Sequence, residues 1–231
     1  MRFASGLSDA VSVQAAVDDA CQQVADQLAG ARCHLACVFL STIYRADWPE
    51  VMARLRRRLS PQVLLGCSGG GVIGGERELE WAPGLSVVAG HLPNVRLYPF
   101  AVSPGELDVS APGGFWIDKV GVAPEVNPVF VLCADPYTCQ PEKLVGELNA
   151  TFPGRPMIGG LVSGGHEPGE HVVVLDTRVF REGAVGVALT GDITLDTIVS
   201  QGCRPIGRPY VVTQAEDNVI WHLGGRQALE V

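Results

Sequence analysis

Two stretches of the chain repeat the same order of elements, and this internal repetition is the strongest constraint on the fold. The matching segments are VFLSTIY with VLCADPY, VLLGCSGGG with MIGGLVSGG, and SVVAG with VVVLD. Each copy places a buried strand, a short helix and a second strand ahead of a glycine-rich turn. We therefore infer that a β-α-β-β unit is duplicated within the chain.

The first copy is predicted to contain two helices and four strands. They are a helix within 12–30, a strand over 34–41, a helix from Asp47 to about Leu59, the strand QVLLG entering the glycine turn 66–75, and strands over 85–90 and 95–102. Asp47 and Glu50 form a capping-box pattern at the start of the second helix. HLPN is predicted to be a hairpin turn between the last two strands.

The second copy follows a proline- and glycine-rich stretch, 103–128, that interrupts the pattern. Its predicted elements are a strand within 127–138, the helix CQPEKLVGELNATFPG, a strand entering a glycine turn over 155–165, and the strands HVVVLDTRV and GAVGVALTG. Hairpin links and helical crossovers occur together in this pattern. The predicted fold is therefore α/β, with mixed sheets flanked by helices.

Beyond Gly191 the chain leaves the duplicated unit. PYVVTQ and NVIWHL are predicted to form a β-hairpin around AEDN, and GGRQALEV is predicted to open a helix. We expect a duplicated domain over 1–200 and the truncated start of a second domain over 201–231.

Composition excludes several classes of protein. The net charge of −8 argues against nucleic acid as a partner. No stretch approaches the roughly 18 apolar residues that cross a membrane, and the acidic N-terminal segment does not resemble a signal peptide. The seven cysteines form no CxxC pair, so we expect a cytoplasmic protein with reduced thiols and no metal site. The glycine turns match neither a Walker loop nor a dinucleotide fingerprint, so no cofactor is expected.

Four segments together resemble the FIST-domain proteins, bacterial and eukaryotic sensory or adaptor proteins. They are GCSGGGVIGG, MIGGLVSGG, AVGVALTGD and VSQGCRPIGRPYVVTQAEDNVIWHLGGRQALEV, and they cover most of the chain. The resemblance implies a complete FIST N-terminal domain followed by the first strands of a FIST C-terminal domain. It also implies a small-ligand sensor in signal transduction, with amino acids as proposed ligands and a signalling protein as a further partner.

The two glycine turns are the candidate ligand site. Successive glycine amides present N–H groups to a carboxylate, and a serine in each turn adds a hydroxyl. If a pseudo-two-fold axis relates the copies, both turns face one cleft suited to a small zwitterion such as an amino acid. The candidate residues in the turns are Cys67, Ser68, Gly69, Gly70, Gly71, Gly159, Gly160, Ser163 and Gly164.

Two charged residues complete the predicted site. Asp135, at the polar end of its strand, is a candidate acceptor for an amino group, and capping the turn before Pro136 is its alternative role. Arg204 offers a bidentate grip on a carboxylate or, alternatively, an interdomain salt bridge.

Two other functions stay open on the sequence alone. A cysteine-dependent hydrolase or transferase would use Cys67 beside the glycine amides, but it needs a base. His166, which follows the second glycine turn, is the histidine that duplication would bring near. A protein-recruiting adaptor is the third hypothesis.

Overall fold

The duplicated part of the chain forms one unit in a computed structural model that describes residues 1–44, 46–198 and 206–231. This first unit is Met1–Thr197, and a second unit is Ile198–Val231. None of the helices in the described ranges combines the length and the apolar character needed to cross a bilayer.

The first copy contributes six strands and two helices. They are β1 (Arg2–Ser8), α1 (Val13–Leu28), β2 (Leu35–Ser41), α2 (Trp48–Leu59), β3 (Val63–Gly69), β4 (Gly71–Gly74), β5 (Arg77–Glu80) and β6 (Leu85–His91). Helix α1 begins where Ser12 accepts a hydrogen bond from the backbone of Ala15, and its apolar positions recur with helical spacing.

The second copy adds six strands and three helices. They are β7 (Val95–Val102), α3 (Pro104–Val109), α4 (Gly114–Val120), β8 (Val129–Ala134), α5 (Pro141–Thr151), β9 (Met157–Leu161), β10 (Val173–Leu175), β11 (Arg178–Phe180) and β12 (Ala184–Gly191). Short 3-10 turns lie at Thr42–Tyr44 and Pro124–Val126.

The strand order of the two main sheets confirms the duplication. One sheet has the order β1-β6-β2-β3-β10-β11, and the other has the order β7-β12-β8-β9. In both sheets the first two neighbouring pairs are antiparallel and the third pair is parallel. The four strands β1, β6, β2 and β3 therefore correspond to β7, β12, β8 and β9.

The two sheets pack face to face, and helices cover their outer faces. One apolar cluster joins α1 and α2 to the six-stranded sheet, and a second joins α3, α4 and α5 to the four-stranded sheet. A third cluster, which includes Leu65, Val173 and Val187, lies between the sheets. Each such buried valine or leucine stabilises the fold by about 1.5–3 kcal/mol, so the layers are held by apolar contact across three interfaces.

The mixed α/β class is confirmed, but three predicted details of the fold are wrong. The link at 92–94 is not a hairpin turn, because β6 and β7 belong to different sheets. Helix α2 begins after Asp47 without a side-chain cap, so no capping box forms there. The stretch 103–128 is not a mere interruption. It contains α3 and α4, the first of which has a capping box made by Ser103 and Glu106.

All three predicted segment alignments are also wrong in detail. SVVAG lies in β6, whose counterpart is β12, whereas VVVLD overlaps β10 of the same six-stranded sheet. The match of VLLGCSGGG with MIGGLVSGG pairs Val63, which packs between the sheets, with Met157, which packs under the helices. The alignment of VFLSTIY with VLCADPY is wrong by one residue. It matches Val38 with Val131, but Val38 packs under the helices whereas Val131 packs between the sheets. Because successive strand residues point to opposite faces, these two residues cannot be equivalent.

The second unit is a small antiparallel sheet of three strands. They are β13 (Val212–Glu216), β14 (Val219–Leu223) and β15 (Arg226–Gln227). The predicted hairpin around AEDN is confirmed. The predicted helix in GGRQALEV is wrong, because Gly224 and Gly225 adopt positive φ and turn the chain back to pair β15 with β14. A 3-10 turn, Ala228–Glu230, follows.

Candidate functional site

A cleft of about 500 Å³ lies in the first unit, between the two main sheets. Its lining residues come from β3, β4, β8 and β9, together with Cys37 and Phe39 of β2. Seven of the residues predicted from sequence line it. They are Cys67, Ser68, Gly69, Gly71, Gly159, Gly160 and Ser163.

The first glycine segment is a strand and not the turn predicted from sequence. Val63–Gly69 is buried throughout and pairs with β2 on one side and β10 on the other. The Ser68 amide donates to the carbonyl of Val172 (2.9 Å), and the Val172 amide donates to Ser68 Oγ (3.1 Å). The predicted cradle of free amides is therefore absent from Val63–Gly69, because sheet pairing uses these groups.

The second glycine segment begins as β9, a strand at the edge of its sheet, and continues beyond Leu161 outside any strand, where Gly164 has the positive φ expected of the predicted turn. Gly159 and Gly160 belong to β9, and within the described ranges β8 is the only strand that pairs with it. Gly159 has φ 153°, and a Cβ built on it would lie 1.9 Å from the carbonyl oxygen of Leu132. Gly160 has open space beside it. One of these neighbouring glycines is thus required by close backbone packing, and the other leaves volume free.

The two glycine segments touch each other. The Gly70 amide donates to Ser163 Oγ (3.1 Å), and the Ser163 amide donates to the Ser68 carbonyl (3.4 Å). Gly164 has φ 93° and packs against the backbone of Gly69. Gly70 and Gly164 do not line the cleft itself. They line a neighbouring cavity of about 300 Å³ together with His166.

Asp135 lies away from the cleft lining, in a buried pair with His171. Its carboxylate lies 2.8 Å from His171 Nδ1, and the two side chains are 1% and 3% exposed. The same carboxylate accepts hydrogen bonds from the amide (3.0 Å) and the hydroxyl of Thr138. Asp135 therefore caps the turn before Thr138, which is the alternative role that the sequence suggested.

His171 was not identified from the sequence. Its ring stacks on Tyr137, and its Nε2 is buried without a hydrogen-bond partner among the described residues. Gly165 abuts the same edge of the ring, because a Cβ built there would lie 3.1 Å from Nε2. In the sequence His171 is the first residue of the predicted strand HVVVLDTRV, and no local pattern there indicates its contact with Asp135. Arg204, the other predicted charged site residue, lies outside the described residues.

Three cysteine thiols line the cleft: Cys37, Cys67 and Cys133. A hydrogen bond with Cys133 and burial of the thiol raise the pKa of Cys67 well above its ordinary value. Burial raises the pKa of Cys37 to about 12. Both thiols are therefore protonated at neutral pH, which disfavours them as nucleophiles.

We expect Cys67 in the native protein to react with iodoacetamide at neutral pH at least about tenfold more slowly than a free cysteine, because little thiolate is present. Peptide mass spectrometry over a time course measures the rate, and protein unfolded in urea is the control for the intrinsic reactivity. A native rate equal to or above that of the unfolded chain would favour the cysteine-dependent hydrolase instead.

The cleft is chemically simple. Of the described residues that line it, none carries a charge, and its polar side chains are the thiols and the hydroxyls of Ser68 and Ser163. Both serine oxygens already accept a backbone hydrogen bond, so their O–H groups are the donors that remain. The arrangement favours a small, largely apolar molecule with one or two hydrogen-bonding groups.

Comparison with known proteins agrees with the resemblance noted in the sequence. The model of the FIST N domain matches residues 34–226. The chain is 34% identical over 235 residues to the uncharacterized protein Rv0628c of Mycobacterium tuberculosis (strain H37Rv), and 32% identical over 237 residues to the uncharacterized protein Mb0898c of Mycobacterium bovis. These alignments cover 99% and 100% of the chain but only 58% of each relative. The chain thus spans a little over half the length of these relatives.

Proposed function

The chain belongs to the FIST family, which is associated with sensing and signal transduction, and from that premise we propose that it binds a small ligand in the cleft beside β3, β4 and β9. The observation that carries this proposal is that the glycine segments of both copies line one cavity. Gly160 leaves volume between two tightly packed sheets, where a larger side chain would fill it. A volume of about 500 Å³ lies within the usual range for small-molecule sites.

Amino acids with apolar side chains are the proposed ligands. The apolar side chains of Phe39, Val72 and Ile158, which line the cleft, support burial of an aliphatic or aromatic side chain. The hydroxyls of Ser68 and Ser163 supply the hydrogen-bond donors. The Asp135 carboxylate, which the sequence suggested as the acceptor for the amino group, is already paired with His171 and Thr138.

The uncharged lining leads to a prediction about which form of an amino acid binds. Burying a carboxylate or an ammonium without a partner is costly, so N-acetyl amino acid amides should bind more tightly than the free zwitterions. At about ten times its Kd, a ligand raises the free energy of unfolding by about 1.4 kcal/mol, which shifts Tm by about 3–5 °C for a chain of this size. Differential scanning fluorimetry with valine, leucine and phenylalanine in both forms measures the shift.

Two substitutions of glycine by valine control this experiment. Gly160 pairs with Cys133, whose side chain lines the cleft, so Gly160→Val directs a side chain into the cavity. Gly146→Val makes the same change on α5, away from the cleft, where a Cβ meets open space. The Tm shift should vanish in the first variant and persist in the second. A flat response of the unmodified chain to the whole panel would contradict ligand binding in the cleft.

A further inference from the structure

Among the described residues, one strand position of the duplicated fold has no strand in it. Strands β3 and β9 are equivalent, and each pairs in parallel with the preceding strand of its own copy. The outer edge of β3 is covered, because β10 pairs with it antiparallel and β11 pairs with β10. The outer edge of β9 has no strand beside it within the described ranges. One member of an equivalent pair of edges is therefore occupied, and the other is open.

The open edge of β9 presents unused backbone groups. The Phe130 amide donates to the Pro156 carbonyl, and the Val162 amide donates to the Ala134 carbonyl. The backbone N–H and C=O groups of the even-numbered residues of β9 therefore face β8. Those of Met157, Gly159 and Leu161 face outward. A new strand along this edge would find donors and acceptors at the regular spacing of a sheet.

The edge lacks the usual protection against strand addition. It carries no charged residue, and it exposes 39% of Ile158 and 53% of Leu161. Native edge strands are ordinarily protected by lysine, by bulges or by a covering element. An apolar edge of this kind is suited to pairing with a further strand.

The cleft runs along this same edge. Phe39 of β2, Val72 and Ile73 of β4 and Ile158 of β9 all line it. Strand β4 pairs only with β5 among the described residues. Strand β4 and the edge strand β9 both line the cleft, so a chain added along β9 would lie in the same cleft as β4.

We propose that the ligand of this cleft is an extended peptide segment with apolar side chains, which adds to β9 as a further strand. This inference rests on the proposed function of the cleft as a ligand site and names the chemical class of the ligand. A peptide backbone inside a chain is neutral and matches the outward N–H and C=O groups of β9, which a charged zwitterion does not. Strand β10, which fills the equivalent edge of β3, consists of Val173, Val174 and Leu175 and indicates the side chains that such a strand carries.

The test uses the whole chain and an acetylated, amidated peptide that copies residues 171–176, HVVVLD. Its affinity is measured by fluorescence anisotropy of a dye-labelled copy. Two further peptides carry N-methyl groups on alternate residues in opposite phase. In an added strand, the N–H groups of alternate residues face β9. The peptide that is methylated at those residues should lose about tenfold or more in affinity, and the other should bind as the parent does.

Two substitutions at one residue separate the backbone from the side chain. Leu161→Pro removes an outward N–H without touching the bonds to β8, whereas Leu161→Ala removes the side chain and keeps the N–H. We expect a loss of about tenfold or more with proline and less than about threefold with alanine. If the proline variant does not fold, the two N-methyl peptides carry the test alone.

Each other outcome overturns the inference in a recognisable way. Equal binding of both N-methyl peptides and the parent means that apolar burial alone holds the peptide. A Tm shift with N-acetyl amino acid amides but no binding of HVVVLD keeps the proposed function and removes the peptide. A concentration-dependent dimer that Leu161→Pro abolishes, without peptide binding, places a second copy on the edge. Flat responses to peptide and amides alike remove both proposals.

Discussion

Replacing Asp135 with alanine should lower the free energy of unfolding of the first unit by about 3–5 kcal/mol, because it breaks a buried pair and leaves one partner behind. The carboxylate is 1% exposed and serves His171 and Thr138 at once. In the variant the His171 ring stays buried with Nδ1 unpartnered, and its Nε2 already lacks a partner among the described residues. Urea unfolding followed by circular dichroism measures the change.

Two substitutions show whether the loss comes from the pair itself. Asp135→Asn keeps the shape and a hydrogen bond to each neighbour, so it should cost only about 1–2 kcal/mol. Asp108→Ala removes an exposed carboxylate that accepts one hydrogen bond from Gln140, and it should change stability by less than about 0.5 kcal/mol. A loss below about 1 kcal/mol for Asp135→Ala would show that the buried pair does not stabilise the fold.

The elements that could be predicted from sequence are those that carry their own periodic signal. The apolar spacing in α1 and the apolar run of β2 mark a helix face and a buried strand without any knowledge of partners. Strand β1 lacks such a signal. Its residues RFASGLS are mostly small, and it is held by pairing with β6, which lies far away in sequence. Its existence depends on a contact that no local pattern encodes.

The two glycine segments line one cleft, but most of their residues form strands rather than the predicted turns. Glycine-rich runs predict turns, because glycine readily adopts positive φ. In β3, however, Gly66 is required by packing, since a Cβ there would lie 2.5 Å from a methyl carbon of Val38. A turn with positive φ and a close approach between two strands both favour glycine, so the glycine content of a segment does not distinguish them. The same residues line the cleft in either case, which is why most of the predicted site residues lie together.

The Asp135–His171 pair could not be predicted, because it depends on the packing of two sheets. Asp135 ends a strand of one sheet and His171 precedes a strand of the other. Their contact follows from the way the copies face each other, and nothing in the spacing of 36 residues between them indicates it. Because Asp135 pairs with His171, it does not line the cleft, and the lining is uncharged. We therefore expect a ligand with a neutral backbone rather than a zwitterion.

Two neighbouring glycines of β9 should respond to the same substitution in opposite ways. Gly159→Ala places a Cβ 1.9 Å from the carbonyl oxygen of Leu132, at a φ of 153° that side chains rarely adopt. Strand β9 must then move away from β8, with a loss of about 2–4 kcal/mol in the free energy of unfolding. Gly160→Ala meets open space, and it should be neutral or stabilise by up to about 1 kcal/mol, because alanine reduces the entropy of the unfolded chain.

Urea unfolding of both variants, side by side, decides why glycine occupies these positions. An equal loss in the two variants would mean that strand geometry, rather than contact with Leu132, requires glycine at 159. The predicted difference instead separates two roles within one strand. Gly159 brings β9 close to β8 and fixes the wall of the cleft, whereas Gly160 keeps the space in front of that wall empty. The cleft therefore depends on both sheets, because β9 comes from the second copy whereas β2 and β3, which also line it, come from the first.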